Sequence, residues 1–186
     1  VIDMVLYLMG NPEITHVSGA SYSRLGGQGK GHWAGARFRQ PTEAVFEVDD
    51  LSTAMVRTAN GATIHIESSW AAFQAATDEF GVSLMGDKGG AEIRVKDYTK
   101  EPALKLFSDV QGIPTDLSPR IVHRHEHNAI VEQFLNSIID GVPMSPSGEE
   151  GVDRARVIDM IYQSSIAGRE LTVEEAKAGI PAGIGE

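Results

Sequence analysis

The chain has 186 residues, a formal net charge of −10 and no cysteine. Its length favours one domain with its own core, and its acidity argues against a nucleic-acid or anionic-membrane surface, because both repel a strongly negative partner. The lack of cysteine excludes a disulfide scaffold, a thiolate zinc site and a cysteine nucleophile, and it favours a cytoplasmic location.

Residues 1–10 are typical of the second half of an apolar helix, which Gly10 and then Asn11-Pro12 would end. No capping residue precedes the apolar stretch, and a helix without its first turn leaves four backbone N–H groups without partners. The sequence therefore predicts a truncated helix and a piece of a longer polypeptide, with an unusual native start as the alternative. The longest apolar run, 4–9, is too short to cross a bilayer.

A run of strands follows this helix. Segments 52–58 and 63–70 flank Asn60-Gly61, the preferred pair for a type I′ turn, and so predict a hairpin. Composition and alternation predict further strands at 14–22, 80–84, 91–95 and 103–107. Because successive hairpins pair neighbouring strands, we expect a mainly antiparallel sheet.

The last third of the chain is predicted to be helical. Apolar residues recur at helical spacing over 130–139, and a capping box at 147–150 begins a second helix that ends near residue 167. A second box at 172–175 begins a short helix in the C-terminal tail, 169–186. The order of elements predicts a single α+β domain over residues 1–186, with two layers: a mainly antiparallel, open sheet and helices on one face.

The other face of such a sheet is left to water or to a partner. In strand 63–70 that face carries either His65 and Glu67, or Ile64, Ile66 and Trp70, depending on register. Both sets include side chains that a neighbouring copy could bury. We therefore expect homo-oligomerisation through the sheet face.

The densest group of ionisable side chains is the segment 123–127, His-Arg-His-Glu-His. His123 and His127, at i and i+4, could share a metal ion, but no third ligand stands out and the His-Glu-x-x-His order is absent. We therefore prefer a helix N-terminus that faces a substrate over a metal site. Gly-x-Gly-x-x-Gly, Gly-x-Ser-x-Gly and P-loop motifs are also absent, so the chain carries no self-sufficient catalytic set.

Two further residues attract attention by their position. Asp3 interrupts an apolar run, where spacing alone favours an exposed residue. Trp70 ends a strand and precedes a break in alternation over 71–78. A tryptophan is usually part of the core, but an aromatic residue at a strand end can also form the wall of a small-molecule pocket.

Four segments, in this order, carry a resemblance to a known family. They are Ile2-Asp3-Met4 to Gly10, Val48-Asp49-Asp50-Leu51 through Asn60-Gly61 to Trp70, Met85-Gly86-Asp87-Lys88-Gly89-Gly90, and Glu132-Gln133-Phe134 to Pro146. Together they resemble the C-terminal domain of the Gfo/Idh/MocA oxidoreductases, the relatives of glucose–fructose oxidoreductase and inositol dehydrogenase.

The resemblance implies an N-terminal Rossmann domain in the same polypeptide that binds NAD or NADP. It implies hydride transfer between nicotinamide and a sugar, polyol or related carbinol. The family's helix motif is Asp-x-Gly-x-His-x-x-Asp, and Asp3 resembles its last residue, so the catalytic histidine would precede Val1. The family's Glu-Lys-Pro lysine would lie in the Rossmann domain. We therefore expect neither nicotinamide binding nor turnover by this chain alone.

The resemblance also implies which residues contact the carbohydrate-like substrate. Trp70, Phe73 and Gln74 fall at the strand end where relatives place aromatic groups, and His127 and Asn128 fall at the helix start where relatives contribute polar contacts. Asp3 completes this set. The alternative is a stand-alone binding or scaffold module that uses the same sheet without catalysis.

Overall fold

The computed structural model describes residues 1–26, 47–73, 78–96, 103–120 and 127–179. These residues group into two compact units, the first comprising 1–26, 47–73, 78–80, 95–96 and 156–179, and the second 81–94, 103–120 and 127–155. In chain order the elements are α1 (Ile2–Leu8), β1 (Ile14–Tyr22), β2 (Leu51–Thr58), β3 (Thr63–Ser69), β4 (Glu79–Gly86), β5 (Gly89–Lys96), β6 (Leu104–Val110), β7 (Ile113–Leu117), α2 (His127–Ile139), α3 (Gly148–Ala167), β8 (Leu171–Thr172) and α4 (Val173–Ala178).

The first unit contains a four-stranded sheet in the order β3-β2-β1-β8, with antiparallel neighbours throughout. The predicted Asn60-Gly61 hairpin joins β2 to β3, and Gly61 has the positive φ, 86°, that such a turn requires. Val17, Val56 and Ile64 pair across β1, β2 and β3 and are all buried. This row defines the inner face of the first sheet.

Helix α3 packs on that inner face through small residues. A Cβ built on Gly19 of β1 would lie 2.8 Å from both Cγ2 and the carbonyl oxygen of Ile161, so only glycine permits this approach. The backbone N–H groups of Gly19 and Ser21 donate to the hydroxyls of Ser164 and Ser165, both at 2.9 Å. Because β8 pairs only with the start of β1, these serines cover the strand edge beyond it.

Helix α1 ends as the sequence predicts. Gly10 has φ of 76°, its N–H donates to the carbonyl of Tyr7 at 3.0 Å, and the N–H of Asn11 donates to the carbonyl of Leu6 at 2.7 Å. This pair of bonds is a Schellman motif, which satisfies two of the last carbonyls of the helix. Val5 and Leu6 of α1 are buried, and the helix belongs to the first unit.

The second unit contains a sheet in the order β4-β5-β6-β7. Ala91, Leu106 and Leu117 pair across β5, β6 and β7 and give one face an apolar row. The strand β7 was not predicted, because Gln111-Gly112 replaces the Asn-Gly signal and Pro114 interrupts the strand composition. Gln111 and Gly112 nevertheless have φ of 56° and 82°, as a tight hairpin turn requires. Pro114 is tolerated because β7 is the edge strand.

The remaining helical predictions also hold. At the start of α3, the N–H of Glu150 donates to the Ser147 hydroxyl at 3.2 Å, and the N–H of Ser147 donates to the Glu150 carboxylate at 3.1 Å. Thr172 and Glu175 form the same reciprocal capping box at α4. The α+β class with mainly antiparallel, open sheets is confirmed, and the strands are divided between two sheets.

No helix within the described ranges combines the length and apolar character needed to span a membrane.

Candidate functional site

Trp70 lies directly after β3, and the Nε1 of its indole ring makes a hydrogen bond to the backbone. Nε1 donates to the backbone carbonyl of Asp49 at 2.8 Å. The residue remains 39% exposed. An aromatic face is therefore presented to solvent in a defined orientation at one end of the first sheet.

The side chain of Asp49 connects this sheet end to α3. Tyr162 donates its hydroxyl to Oδ1 at 2.7 Å, and Ser52 donates its hydroxyl to Oδ2. The Ser52 hydroxyl is also 2.7 Å from that of Ser21 on β1. Asp49 thus makes contact with residues of β2 and α3 at the same time.

These contacts determine the protonation states of Asp49 and Tyr162. Burial is the largest single influence on Asp49 and raises its pKa, but the hydrogen bonds from Ser52, Tyr162 and its own backbone N–H outweigh it. The net pKa of Asp49 is therefore below its usual value. The hydrogen bond to the Asp49 carboxylate raises the pKa of Tyr162, and burial raises it further. At neutral pH a phenol thus donates to a carboxylate.

Asp50 is 3% exposed and is satisfied by backbone N–H groups. Its Oδ2 accepts from the N–H groups of Arg24, Leu25 and Gly26 at 2.6, 2.5 and 3.1 Å. Burial raises the pKa of Asp50, but these backbone hydrogen bonds together lower it below the usual value. Its own carbonyl accepts from the Ser69 hydroxyl at 2.7 Å.

We call Asp49 and Asp50, with Ser52, Ser69, Trp70 and Tyr162, the Asp49–Asp50 junction. It ties the end of β1 to the start of β2, to the end of β3 and to α3. The adjacent acids before β2 were a visible signal, although no role was predicted for them. Tyr162 could not be found from sequence, because it lies 113 positions from Asp49.

The predicted substrate residues Asp3 and Phe73 both lie in the first unit and are exposed. Asp3 is the second residue of α1. Phe73, with 71% exposure, follows Trp70 by three residues. The end of α1 leads into the start of β1. Trp70 lies beyond the opposite end of β1, and a strand of nine residues is about 27 Å long.

His127 and Asn128 are the first two residues of α2, in the second unit, and both are exposed. Gln74 and residues 123–126 lie outside the described residues. Across the ranges that are described, no three His, Asp or Glu side chains are grouped as a metal site would require. The structure therefore brings Trp70 together with Asp49, Asp50 and Tyr162, which were not among the predicted site residues.

A depression of about 580 Å³ lies on the second sheet, over the turn between β4 and β5. Met85, Lys88 and Phe107 are among its lining residues. None of the described residues that are predicted to contact the substrate lines it.

The described strands do not fit a dinucleotide cofactor. The strand pairs of the first sheet, and those joining β5, β6 and β7, are antiparallel. Dinucleotide sites of the Rossmann type need a parallel β-α-β unit with a glycine-rich turn. No described residue is therefore assigned to NAD or NADP.

Residues 1–174 match the sequence pattern described as the oxidoreductase family, C-terminal alpha/beta domain, of the Gfo/Idh/MocA group. The D-glucoside 3-dehydrogenase of Escherichia coli (strain K12) is 25% identical over 169 residues, which cover 90% of this chain and 45% of that protein.

Solved structures show the same fold. An oxidoreductase domain protein from Kribbella flavida superposes with a TM-score of 0.71 at 17% identity, covering 94% of this chain and 48% of the other. Levoglucosan dehydrogenase in complex with NADH gives 0.69 at 22% identity, covering 93% and 48%. The chain thus spans about half the length of these relatives. It belongs to the Gfo/Idh/MocA oxidoreductase family, as the sequence resemblance predicts, and corresponds to the C-terminal α/β domain.

Proposed function

We propose that this chain is the substrate-binding and oligomerisation domain of an NAD- or NADP-dependent oxidoreductase that acts on a sugar, polyol or related carbinol. The observation that carries the proposal is the family match over residues 1–174. Two similar proteins are dehydrogenases whose names specify a D-glucoside and levoglucosan, which supports a carbohydrate-like substrate.

The chemistry of the proposed contact residues is consistent with that substrate class. Trp70 and Phe73 offer apolar faces for the C–H surface of a sugar ring, and Trp70 is already fixed, so little conformational freedom is lost on binding. Carboxylate, imidazole and amide groups supply acceptors and donors for hydroxyls. We assign this role to Asp3, Gln74, His127 and Asn128.

We place the cofactor in a Rossmann domain of the same polypeptide, because the described residues do not fit a dinucleotide. We assign the proton-transfer group to the histidine of the family's helix motif, of which Asp3 resembles the last residue. When bound, the nicotinamide supplies the hydride chemistry. The residues of this chain would then bind the carbinol, orient it and keep water from one side of it. By itself the chain should neither bind nicotinamide nor catalyse turnover of a substrate.

The sharpest test of substrate binding uses the full-length protein with Trp70→Ala and His127→Ala. We expect each variant to lower kcat/KM for the best sugar substrate about tenfold or more, because each removes a direct contact. The assay follows absorbance of the reduced nicotinamide over a panel of glucosides and polyols, with NAD⁺ and NADP⁺ in turn.

Phe107→Ala is the matched control for Trp70→Ala. Phe107 is an aromatic residue of nearly equal exposure, 37%, that lies on the second sheet and is not among the proposed contacts. It should leave kcat/KM within about twofold of wild type. Unchanged kinetics in both site variants would remove Trp70 and His127 from the substrate site.

The proposed oligomer interface is the outer face of the first sheet, opposite the face that α3 covers. Ser18, Met55 and His65 pair across β1, β2 and β3 and form its central row. None of the three is buried. This row contains a small, an apolar and a polar side chain and no Asp, Glu, Lys or Arg, which suits it to packing against a second copy.

Met55→Glu should dissociate the oligomer, because a carboxylate in the middle of this face would be buried without a partner on association. Light scattering of the full-length protein at micromolar concentration measures the mass. Val152→Glu, at an exposed apolar position of α3, is the control that should leave the mass unchanged. A monomeric wild type, or an oligomer that survives Met55→Glu, would contradict this interface.

A further inference from the structure

We propose that Tyr162 and Asp49 are positioning residues, which fix the indole of Trp70 in the orientation that binds the substrate. This inference rests on the proposed function and goes beyond it, since neither residue is predicted to touch the substrate. It assigns a specificity-determining role to a contact between α3 and the end of the first sheet.

The first step of the argument is the bond that orients the ring. The indole Nε1 donates to the carbonyl oxygen of Asp49 at 2.8 Å. An indole has one polar donor, so this bond determines which edge of the ring faces the protein. This bond therefore couples the orientation of Trp70 to that of the peptide group that joins Asp49 to Asp50.

The second step is that this peptide group is fixed by its own N–H, which donates to the carbonyl of Tyr22 at 2.8 Å, and by the side chains of both its residues. Asp49 is held by the hydroxyls of Tyr162 and Ser52, one on each carboxylate oxygen. Asp50 is held by three backbone N–H groups on its Oδ2. The peptide plane cannot rotate without disturbing at least one of these sets of hydrogen bonds.

The third step concerns the rigidity of the anchor. Tyr162 follows Ile161, the residue that packs directly against Gly19 in the core of the first unit. Its hydroxyl therefore extends from a part of α3 that is closely packed against the sheet. The Tyr162 hydroxyl holds the side chain of Asp49, and the carbonyl of Asp49 holds the indole of Trp70 at the surface.

A purely structural role for Tyr162 explains the geometry less well. Tyr162 and Trp70 are 42% and 39% exposed, and hydrogen bonds that compete with water at such positions add little to global stability. Fixing an exposed aromatic ring before binding, by contrast, lowers the entropy lost when a ligand contacts it. The structure therefore points to an effect on binding rather than on folding.

The test is Tyr162→Phe in the full-length protein, which removes one hydroxyl and keeps the ring. The ¹⁵N–¹H signal of the Trp70 indole, assigned by its loss in Trp70→Phe, should shift, and its hydrogen exchange should accelerate. We expect KM for the sugar to rise about three- to tenfold while kcat stays within about twofold, because uniform binding is lost. Ser52→Ala removes the hydroxyl that donates to the other carboxylate oxygen of Asp49. It should shift the indole signal and raise KM in the same direction as Tyr162→Phe.

Tyr22→Phe is the matched control: it makes the same chemical change at the same end of the sheet and should move neither the indole signal nor KM. An unchanged indole signal in Tyr162→Phe, or a shifted signal with unchanged KM, would overturn the positioning role. If Trp70→Ala still raises KM in that case, the proposed substrate site stands without it. If Trp70→Ala also leaves KM unchanged, the site and the inference both fall.

Discussion

Asp50→Ala is expected to lower the free energy of unfolding by about 3 kcal/mol, since hydrogen bonds to a buried charge contribute more than neutral ones. The change removes one acceptor that satisfies the N–H groups of Arg24, Leu25 and Gly26 at once. Gly26 is itself buried, so its N–H has no ready replacement in water. Urea denaturation of wild type and variant measures the difference.

Asp50→Asn separates the charge from the hydrogen-bonding geometry. All three N–H groups donate to the same oxygen, Oδ2, which an asparagine can still present, so we expect roughly half the loss. Asp109→Asn is the matched control, because Asp109 accepts one N–H bond, from Gly112, in an exposed turn. It should change stability by less than about 1 kcal/mol.

The pH dependence of the Asp50 effect follows from its pKa, which is lower in the folded protein than its usual value. The stabilisation is complete above the unfolded-state pKa of about 3.9 and is lost as the pH falls through the lower, folded-state pKa. The difference between wild type and Asp50→Ala should therefore be constant near neutrality and shrink only below about pH 4. A difference that declines already between pH 7 and pH 5 would contradict this assignment.

Gly19→Ala is expected to destabilise the protein by about 2 to 3 kcal/mol, at the upper end of what overpacking usually causes. The new Cβ would lie 2.8 Å from the carbonyl oxygen of Ile161 and 3.0 Å from its Cα. Because these are backbone atoms, α3 itself must move away from β1. That movement also lengthens the hydrogen bonds to Ser164 and Ser165.

Gly151→Ala makes the same substitution within α3, where the added Cβ meets no atom within 4 Å. There alanine should stabilise the protein by about 0.5 to 1 kcal/mol through its helix propensity. Thermal unfolding of the two variants measures both effects. Equal melting temperatures for Gly19→Ala and wild type would show that α3 does not approach β1 this closely.

Local features of the fold were predictable from the sequence because their interactions span only a few residues. The capping pairs Ser147 with Glu150 and Thr172 with Glu175 are three positions apart, and the Schellman motif at Gly10 closes within five. The Asn60-Gly61 turn depends on the conformational preference of two adjacent residues. In each case the interacting groups are fixed by their spacing along the chain.

The strands β7 and β8 were not predictable in the same way. The two residues of β8 form a strand only because Leu171 and Thr172 pair with the start of β1. Pro114 is acceptable in β7 only because that strand lies at the edge of its sheet. Both depend on neighbours that are distant in sequence.

The α+β class, the approximate extents of most elements and, through four separate segments, the oxidoreductase family are all predictable from the sequence alone. The sequence also identified Trp70, because an aromatic residue at the end of an alternating strand is visible without a structure. The contacts that hold Trp70 in place, by contrast, become visible only in the folded chain. Asp49 meets Tyr162 across 113 positions, through the antiparallel register of β1, β2 and β3 and the close packing of Ile161 on Gly19. Spacing along the chain does not indicate these contacts, because they form only when separate elements pack together.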